Sequence, residues 1–270
     1  MDLGLSGRAC VVTGASRGIG RATARMLCAE GADVLLVARS EETLLEAADE
    51  CAAAGRQAGG RAESLVADVT DASSAERIVS EATDRLGKVD VLVNNAGTAR
   101  RRPFDEVPDE DWYAAWELNV MAPMRLMKAA VPGMRERGWG RIVNVSSSSG
   151  KRPSAATPEY SVAKAAELSL SRLFADRYAA DGVLINAICP GAVKSELWTD
   201  EGGLLDQVME MEGLSSREEA LEAAAVGRPI GRIAEVDEVA GAIAFLCSEH
   251  ASYTSGAAWS VDGGVVQIII

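Results

Sequence analysis

The chain has almost no histidine: His250 stands alone among 270 residues. That excludes a Ser-His-Asp triad and any multi-histidine metal centre. Cysteine is present but unpatterned. Cys10, Cys28, Cys51, Cys189 and Cys247 are odd in number, widely spaced and contain no C-x-x-C. Neither a disulfide framework nor a zinc site is expected from them; buried free thiols in a reducing compartment are. Basic residues are outnumbered, 27 against 40 acidic ones, for a net charge of −13. Nucleic acid and anionic membrane surfaces both call for a basic face, so neither is an expected partner. No apolar run approaches the roughly 18 residues of a membrane span, and the N-terminus lacks a basic–apolar targeting pattern. A soluble, cytoplasmic protein is expected. Repeats, low-complexity segments and internal linkers are missing as well. One large domain, residues 1–270, is the expectation, with ample chain for a core.

What is present begins with Ala9-Cys10-Val11-Val12-Thr13, a short apolar run that ends in Gly14-Ala15-Ser16-Arg17-Gly18-Ile19-Gly20. A helical pattern follows, with Ala22, Ala24, Met26 and Leu27, and stops at Gly31. A glycine motif is informative in this strand–turn–helix setting. Glycines let the backbone approach a pyrophosphate, and the helix N-terminus presents N–H groups to its charge. The second strand is expected at 33–39 and the second helix at 41–55. In a unit that binds NAD, an acid at the end of this strand holds the ribose 2′-hydroxyl. Here Ala38 stands at that place, Arg39 follows, and Arg17 lies in the glycine turn. Two guanidiniums without the acid suit a 2′-phosphate, so NADP(H) is expected over NAD(H).

Further strands are expected at 64–67, 89–93, 141–145, 183–189 and 258–261. Their carboxyl ends carry Asp68-Val69, Asn94-Asn95-Ala96-Gly97, Ser146 to Ser149, and Pro190-Gly191. Thr70 or Asp71 is the expected cap of a helix running to Leu86. Asn94 is placed either in the crevice or as a tie between strands. A basic loop, 98–108, carries Arg100, Arg101 and Arg102, read as solvated charge or as a guide for an anionic substrate. A long helix from about 109 to 134, interrupted near Pro123, carries Asn119. The segment 194–228 reads as a helical substrate lid whose Leu204, Val208 and Met211 give it an apolar inner face. The apolar tail, 265–270, is expected to pack on another subunit or to seal the site. Alternating strands and helices predict a parallel sheet covered on both faces.

Tyr160-Ser161-Val162-Ala163-Lys164 lies in a helix-patterned run from about 157 to 180. Residues four apart share a helix face, so the phenol and the ammonium stack one above the other. A phenol ordinarily loses its proton near pH 10; a fixed ammonium beside it favours the phenolate. Such a pair suits general acid–base work on an alcohol or carbonyl oxygen.

Together these residues resemble the short-chain dehydrogenase/reductase family over nearly the whole chain. The motifs are Thr13-Gly14-x-x-x-Gly18-x-Gly20, Asp68-Val69, Asn94-Asn95-Ala96-Gly97, Asn119, the serine run, Tyr160-x-x-x-Lys164 and Pro190-Gly191. The resemblance implies an α/β fold, a doubly wound parallel seven-stranded Rossmann sheet, with a nicotinamide cofactor and a homotetramer or else a homodimer. It implies Ser147 as the serine that holds the substrate oxygen, with Ser146 and Ser148 as alternatives. Tyr160 then exchanges the proton, Lys164 tunes it and binds the ribose, and Asn119 holds a water linking Lys164 to solvent. The implied cofactor contacts are Gly14, Ser16, Arg17, Gly18, Ile19, Gly20, Arg39, Asp68, Val69, Asn95, Ala96, Gly97, Pro190, Gly191, Val193 and Ser195, besides Tyr160 and Lys164. Ser195 stands where the family often has threonine.

The activity expected is hydride transfer between NADP(H) and the carbonyl or secondary alcohol of a small, apolar substrate. A 3-oxoacyl-[acyl-carrier-protein] reductase is the alternative within the class, and it needs basic surface for an acidic carrier. A non-catalytic nucleotide-sensing protein is the alternative from another class, and it has no use for a Ser-Tyr-Lys-Asn set. A sugar-nucleotide epimerase needs a larger C-terminal substrate domain than this chain has.

Overall fold

The computed structural model describes residues 2–267; residues 268–270, the end of the apolar tail, lie outside it. In chain order the elements are β1 (Ala9–Thr13), α1 (Gly18–Ala29), β2 (Asp33–Ala38), α2 (Glu41–Gly55), β3 (Ala62–Val66), α3 (Ser74–Leu86) and β4 (Val91–Asn94). Then come α4 (Asp109–Trp116), α5 (Ala122–Glu136), β5 (Gly140–Val145), α6 (Ser148–Lys151), α7 (Pro158–Tyr178) and β6 (Val183–Pro190). The last part is α8 (Glu196–Thr199), α9 (Leu204–Glu212), α10 (Arg217–Ala225), α11 (Val236–Cys247) and β7 (Ala258–Val261).

The seven strands form one parallel sheet in the order β3-β2-β1-β4-β5-β6-β7. The order reverses between β1 and β4, and open parallel sheets bind ligands at such a switch point, beyond the carboxyl ends of the strands. Alternate residues of β1 feed two separate cores. Cys10 and Val12 pack with Leu27, Leu44, Val239 and Ile243 from α1, α2 and α11. Ala9 and Val11 pack with Ile78, Leu126, Met127 and Ala175 from α3, α5 and α7. Both faces of the sheet are thus buried, and the central strands therefore read as unbroken apolar runs rather than alternating ones. Each fully buried leucine contributes roughly 1.5–3 kcal/mol.

Three local outcomes refine the sequence expectation. Helix α3 starts at Ser74, not beside Thr70 or Asp71. Asp68 accepts both the N–H and the O–H of Thr70, at 2.9 and 2.7 Å, and the turn continues through Asp71 before the helix begins. The interruption near Pro123 is a π-helical turn over Glu117–Met121. The insertion after β6 holds its apolar side chains mostly against itself: Leu205, Val208, Met209 and Leu214 pack with Ala220 of α10, while Met211 is exposed.

Candidate active site

A crevice of about 1350 Å³ opens at the carboxyl ends of the strands. All the residues anticipated as catalytic or cofactor-binding line it except Gly20. Gly20 sits behind the glycine turn. A methyl group built there would fall 2.3 Å from the Gly14 carbonyl oxygen and 2.4 Å from Asn95 Nδ2. Its service is close approach of helix to strand. Gly14 and Gly18 have positive φ, 63° and 56°, the conformation that favours glycine. Asn95 locks this turn from the side: its Nδ2 donates to the carbonyls of Thr13 and Gly14 at 2.9 and 3.1 Å. Thr13 Oγ1 accepts the N–H groups of Asn95 and Ala96, at 3.0 and 3.1 Å. Asn94 has the tying role: its Nδ2 donates to Asn144 Oδ1 at 2.8 Å, joining β4 to β5.

The residues around this turn fit a dinucleotide. The side chain of the cap residue Arg17 satisfies none of the first-turn N–H groups of α1, and the first turn carries no acid, so the helix end can take an anion. Arg17, in the glycine turn, and Arg39, at the end of β2, both border the crevice. Arg17 reaches Asp200 at 3.1 Å and Arg39 lies 3.8 Å from Asp68, both in solvent contact. Burial pushes the Asp68 carboxyl up, but the two bonds from Thr70 and the Arg39 charge outweigh it and hold the group below the usual carboxylate range. Ser195 closes the other side, with its Cβ 3.2 Å from a methyl group built on Gly18. Val193 bridges to Ala234, which anchors the chain between β6 and the insertion.

Helix α7 presents Tyr160 and Lys164 on one face. Tyr160 is half-buried, and Lys164 Nζ lies 5.8 Å from its ring centre. Lys164 is 2% exposed; its Nζ donates to the Val145 carbonyl at 2.8 Å and to Glu167 Oε2 at 2.9 Å. Burial alone pushes the ammonium down, but the Glu167 carboxylate and then Tyr160 outweigh it, and the group is held above the usual lysine range. Ser147 caps α6, its Oγ accepting the N–H of Ser149 at 3.1 Å, which leaves its own O–H to donate. Ser146 is spent otherwise: its Oγ donates to the Lys164 carbonyl at 3.0 Å. This distinction separates two serines that the sequence left as alternatives. Asn119 Nδ2 donates to Ala115 at 2.9 Å, while its Oδ1 is buried without a partner. A methyl group on Gly97 would lie 3.5 Å from that oxygen and 3.9 Å from Lys164 Nζ, so the missing side chain leaves room between them.

Two features were missed. Glu167, 1% exposed, lies under Lys164. Its helical spacing from Tyr160 and Lys164 is legible in the sequence; the burial of that face is not. Arg228 also lines the crevice, with its Nε buried and unpartnered; nothing in its sequence context marks it. The substrate end of the crevice carries Leu197, Trp198 and Leu204 beside Arg101, Arg102 and Glu159. It is therefore mixed, these polar groups coming from outside the segment 194–228. Val265 and Val266 border the same crevice, as expected of a sealing tail, whereas 268–270 lie outside the described residues. All five cysteines are buried free thiols. Among the described residues no side-chain cluster has metal-ligand geometry, and no helix is long and apolar enough to cross a membrane.

A parallel sheet with a dinucleotide turn at its switch point, facing a serine, a tyrosine and a lysine, defines a nicotinamide-type oxidoreductase. Comparison with known proteins gives the family. Residues 8–202 match the family described as short chain dehydrogenase. The chain is 39% identical to the cis-4-hydroxycyclohexanecarboxylate dehydrogenase of Sinomonas cyclohexanicum over 262 residues, covering 97% of each. It is 33% identical to the 3-oxoacyl-[acyl-carrier-protein] reductase of Vibrio cholerae, covering 98% of this chain and 100% of that one. It superposes on L-sorbose reductase of Gluconobacter frateurii, solved with NADPH and L-sorbose, at a TM-score of 0.91 with 36% identity and complete coverage of both chains. The chain belongs to the short-chain dehydrogenase/reductase family. It is an oxidoreductase of CH–OH and carbonyl groups.

Proposed function

We propose that the protein interconverts a small ketone and its secondary alcohol with NADP(H), in preference to NAD(H). One observation carries the reading: Tyr160, Lys164, Ser147 and Asn119 converge on the same crevice as the glycine turn. The nicotinamide, when bound, supplies or accepts the hydride. Ser147 donates its free O–H to the substrate oxygen. Tyr160 passes a proton to that oxygen in reduction and takes it back in oxidation. Lys164 stays charged behind the phenol, with one N–H left for the crevice. Asn119 Oδ1 holds a water that joins Lys164 to solvent. Arg17 and Arg39 grip the 2′-phosphate, and Ala38 leaves no acid to hold a bare ribose hydroxyl.

The segment 194–228 acts as the lid. Its Leu197, Trp198 and Leu204 cover the hydrocarbon part of the substrate, while the arginine side takes polar groups. The exposed Tyr113 and Trp116 of α4 and Val162 and Leu173 of α7 lie on neighbouring helices; they supply an apolar face for a second copy, in keeping with a homotetramer or homodimer. Buried free thiols accord with a reducing cytoplasm.

The test is loss of reduced-nicotinamide absorbance with a panel of cyclic ketones and ketoses, using NADPH and NADH in parallel. Tyr160→Phe keeps the ring and removes the transferable proton; it abolishes turnover and spares NADPH binding. Full activity in that variant refutes the assignment, and a preference for NADH refutes the cofactor choice. Catalysis of no substrate despite tight NADPH binding is the mark of a sensing protein. A second reading, reduction of a 3-oxoacyl thioester on an acidic carrier, is favoured by the full-length relationship to the Vibrio cholerae reductase. The exposed Arg100 at the crevice mouth serves as its contact. Acetoacetyl thioester on carrier protein against small cyclic ketones separates the two.

A further inference from the structure

Lysine has three N–H donors, and the use of two of them is fixed here. One goes to the Val145 carbonyl at the end of β5 and one to Glu167, leaving the third for the crevice. Glu167 has Lys164 as its charged partner. The carboxylate is 1% exposed and sits one turn below the ammonium on the same helix. Ser146, anchored on the Lys164 carbonyl, stands beside it at the end of β5. From β6 the Cys189 thiol faces the same pair; burial above all, with Glu167 adding to it, pushes that thiol up to about 11. Lys151 of α6 bonds Ala258 and Ser260, and its charge opposes the rise of the Cys189 thiol.

We propose that Glu167 is a positioning residue of the proton relay, one that acts through Lys164 and sets the pH at which the Tyr160–Lys164 pair gives up its proton. This rests on the reading of Tyr160 and Lys164 given under Proposed function. The reasoning is a charge count. With Glu167 ionised, a protonated Tyr160–Lys164 pair completes a neutral cluster. Losing a proton from either member leaves a net negative charge beside the buried Lys164–Glu167 pair, which is unfavourable. With a neutral side chain at 167 the same pair starts at +1 and ends at zero. The first proton then leaves at lower pH, whichever member it leaves from, because the two sites titrate as a pair. Glu167 therefore keeps the proton-donating form populated to higher pH than a lone lysine neighbour does, which suits work in the reducing direction. A carboxylate that only packed against the lysine stem has no such effect.

The experiment titrates the enzyme with NADP+ bound and follows phenolate absorption in the ultraviolet, taking Tyr160→Phe as the blank so that one tyrosine is read without any substrate. Glu167→Gln preserves shape and hydrogen bonding and removes the charge. Its midpoint is expected about one pH unit below that of the wild type, the effect of one nearby charge acting through a neighbour. The acid limb of the rate of alcohol oxidation moves by the same amount, with KM for NADP+ unchanged. Glu167→Asp keeps the charge, draws it back by one methylene and gives a smaller shift in the same direction. Should the glutamine variant fail to fold, as judged by NADPH fluorescence, the aspartate variant decides the question. Superposed titrations of wild type and the folded variant overturn the proposal while Tyr160→Phe stays inactive and the relay reading stands. Absence of any Tyr160 signal in the wild type, with Tyr160→Phe active, overturns both.

Discussion

Lys164→Met keeps the unbranched stem of the lysine and removes its charge, and the structure says what this costs. Glu167 loses an ammonium 2.9 Å away while remaining 1% exposed. Removing one partner of a buried ion pair typically destabilises by about 3–5 kcal/mol, because the other charge is left stranded. The stranded group relieves part of this by taking up a proton. Burial already pushes the Glu167 carboxyl up, against the opposing pull of Lys164 and Ser146; without Lys164 it rises further. The sign follows from linkage. A carboxyl whose folded-state pKa lies above its unfolded value of about 4.3 favours folding most below that value, and the benefit is lost as pH rises through the folded-state pKa. The deficit of the variant is therefore small in acid and largest above neutrality.

In a domain of this size each kcal/mol moves Tm by roughly 2–4 °C, so a deficit of about 3–4 kcal/mol at pH 8 is a fall of roughly 6–16 °C. Thermal unfolding by circular dichroism of wild type, Lys164→Met, Glu167→Gln and the double variant at pH 5 and 8 measures it. The gap between wild type and Lys164→Met should widen from pH 5 to pH 8, and the double variant should recover most of it. An unchanged Tm for Lys164→Met at pH 8, or a double variant no more stable than the single one, refutes the reasoning.

Three further outcomes are expected. Arg39→Ala should lower kcat/KM for NADPH about tenfold or more, one charge-assisted bond lost, and leave that for NADH nearly unchanged; an equal fall with both cofactors removes Arg39 from the 2′-phosphate site. Gly20→Ala sets a methyl group 2.3 Å from the Gly14 carbonyl, and overpacking of about 1–3 kcal/mol exceeds the helix-propensity gain of about 1 kcal/mol. Lower Tm and weaker NADPH binding by fluorescence titration are expected, and a stabilised variant contradicts the close approach. Asn144→Ala strips Asn94 Nδ2 and Ser171 Oγ of their shared partner. About 1–3 kcal/mol of stability should go, as read by urea unfolding, with NADPH affinity kept.

The layers of the fold were legible because their signals are local and repeated. Apolar runs gave all seven strands, and the glycine turn gave the switch point, since a Cβ at Gly20 would fall 2.3 Å from the Gly14 carbonyl oxygen. The gathering of Tyr160, Lys164 and Ser147 was legible through helical spacing and a strand end. What sequence spacing could not supply was direction. Leu204, Val208 and Met211 have the period of an amphipathic helix, but period says which residues share a face, not what the face meets; here Leu204 borders the crevice, Val208 meets α10 and Met211 meets solvent. The start of α3 was misplaced for a related reason. Asp68 and Thr70 make a good capping pair, and they spend it on a turn of their own. Glu167 was passed over because an acid in a helix ordinarily faces water, and nothing along the sequence states that this face is sealed by β5 and β6.

Asn119 joins the irregular part of the fold to the chemical part. Pro123 has no N–H, and its ring crowds the carbonyl of the residue four back, which is Asn119. The regular bond from this position to the Asn119 carbonyl is lost. The chain responds with the π turn over Glu117–Met121, in which the N–H of Ala122 reaches back to Glu117. The widened turn sets Asn119 with its Nδ2 tied to Ala115 and its Oδ1 unspent, bordering the gap over Gly97 that Lys164 Nζ also borders. An unpaired buried acceptor costs about 1–3 kcal/mol, a cost that the water proposed between it and the ammonium would remove. The proline that interrupts the helix pattern and the amide proposed for the relay thus belong to one stretch: where the hydrogen-bond ladder breaks, a polar group beside Lys164 has an acceptor still to use.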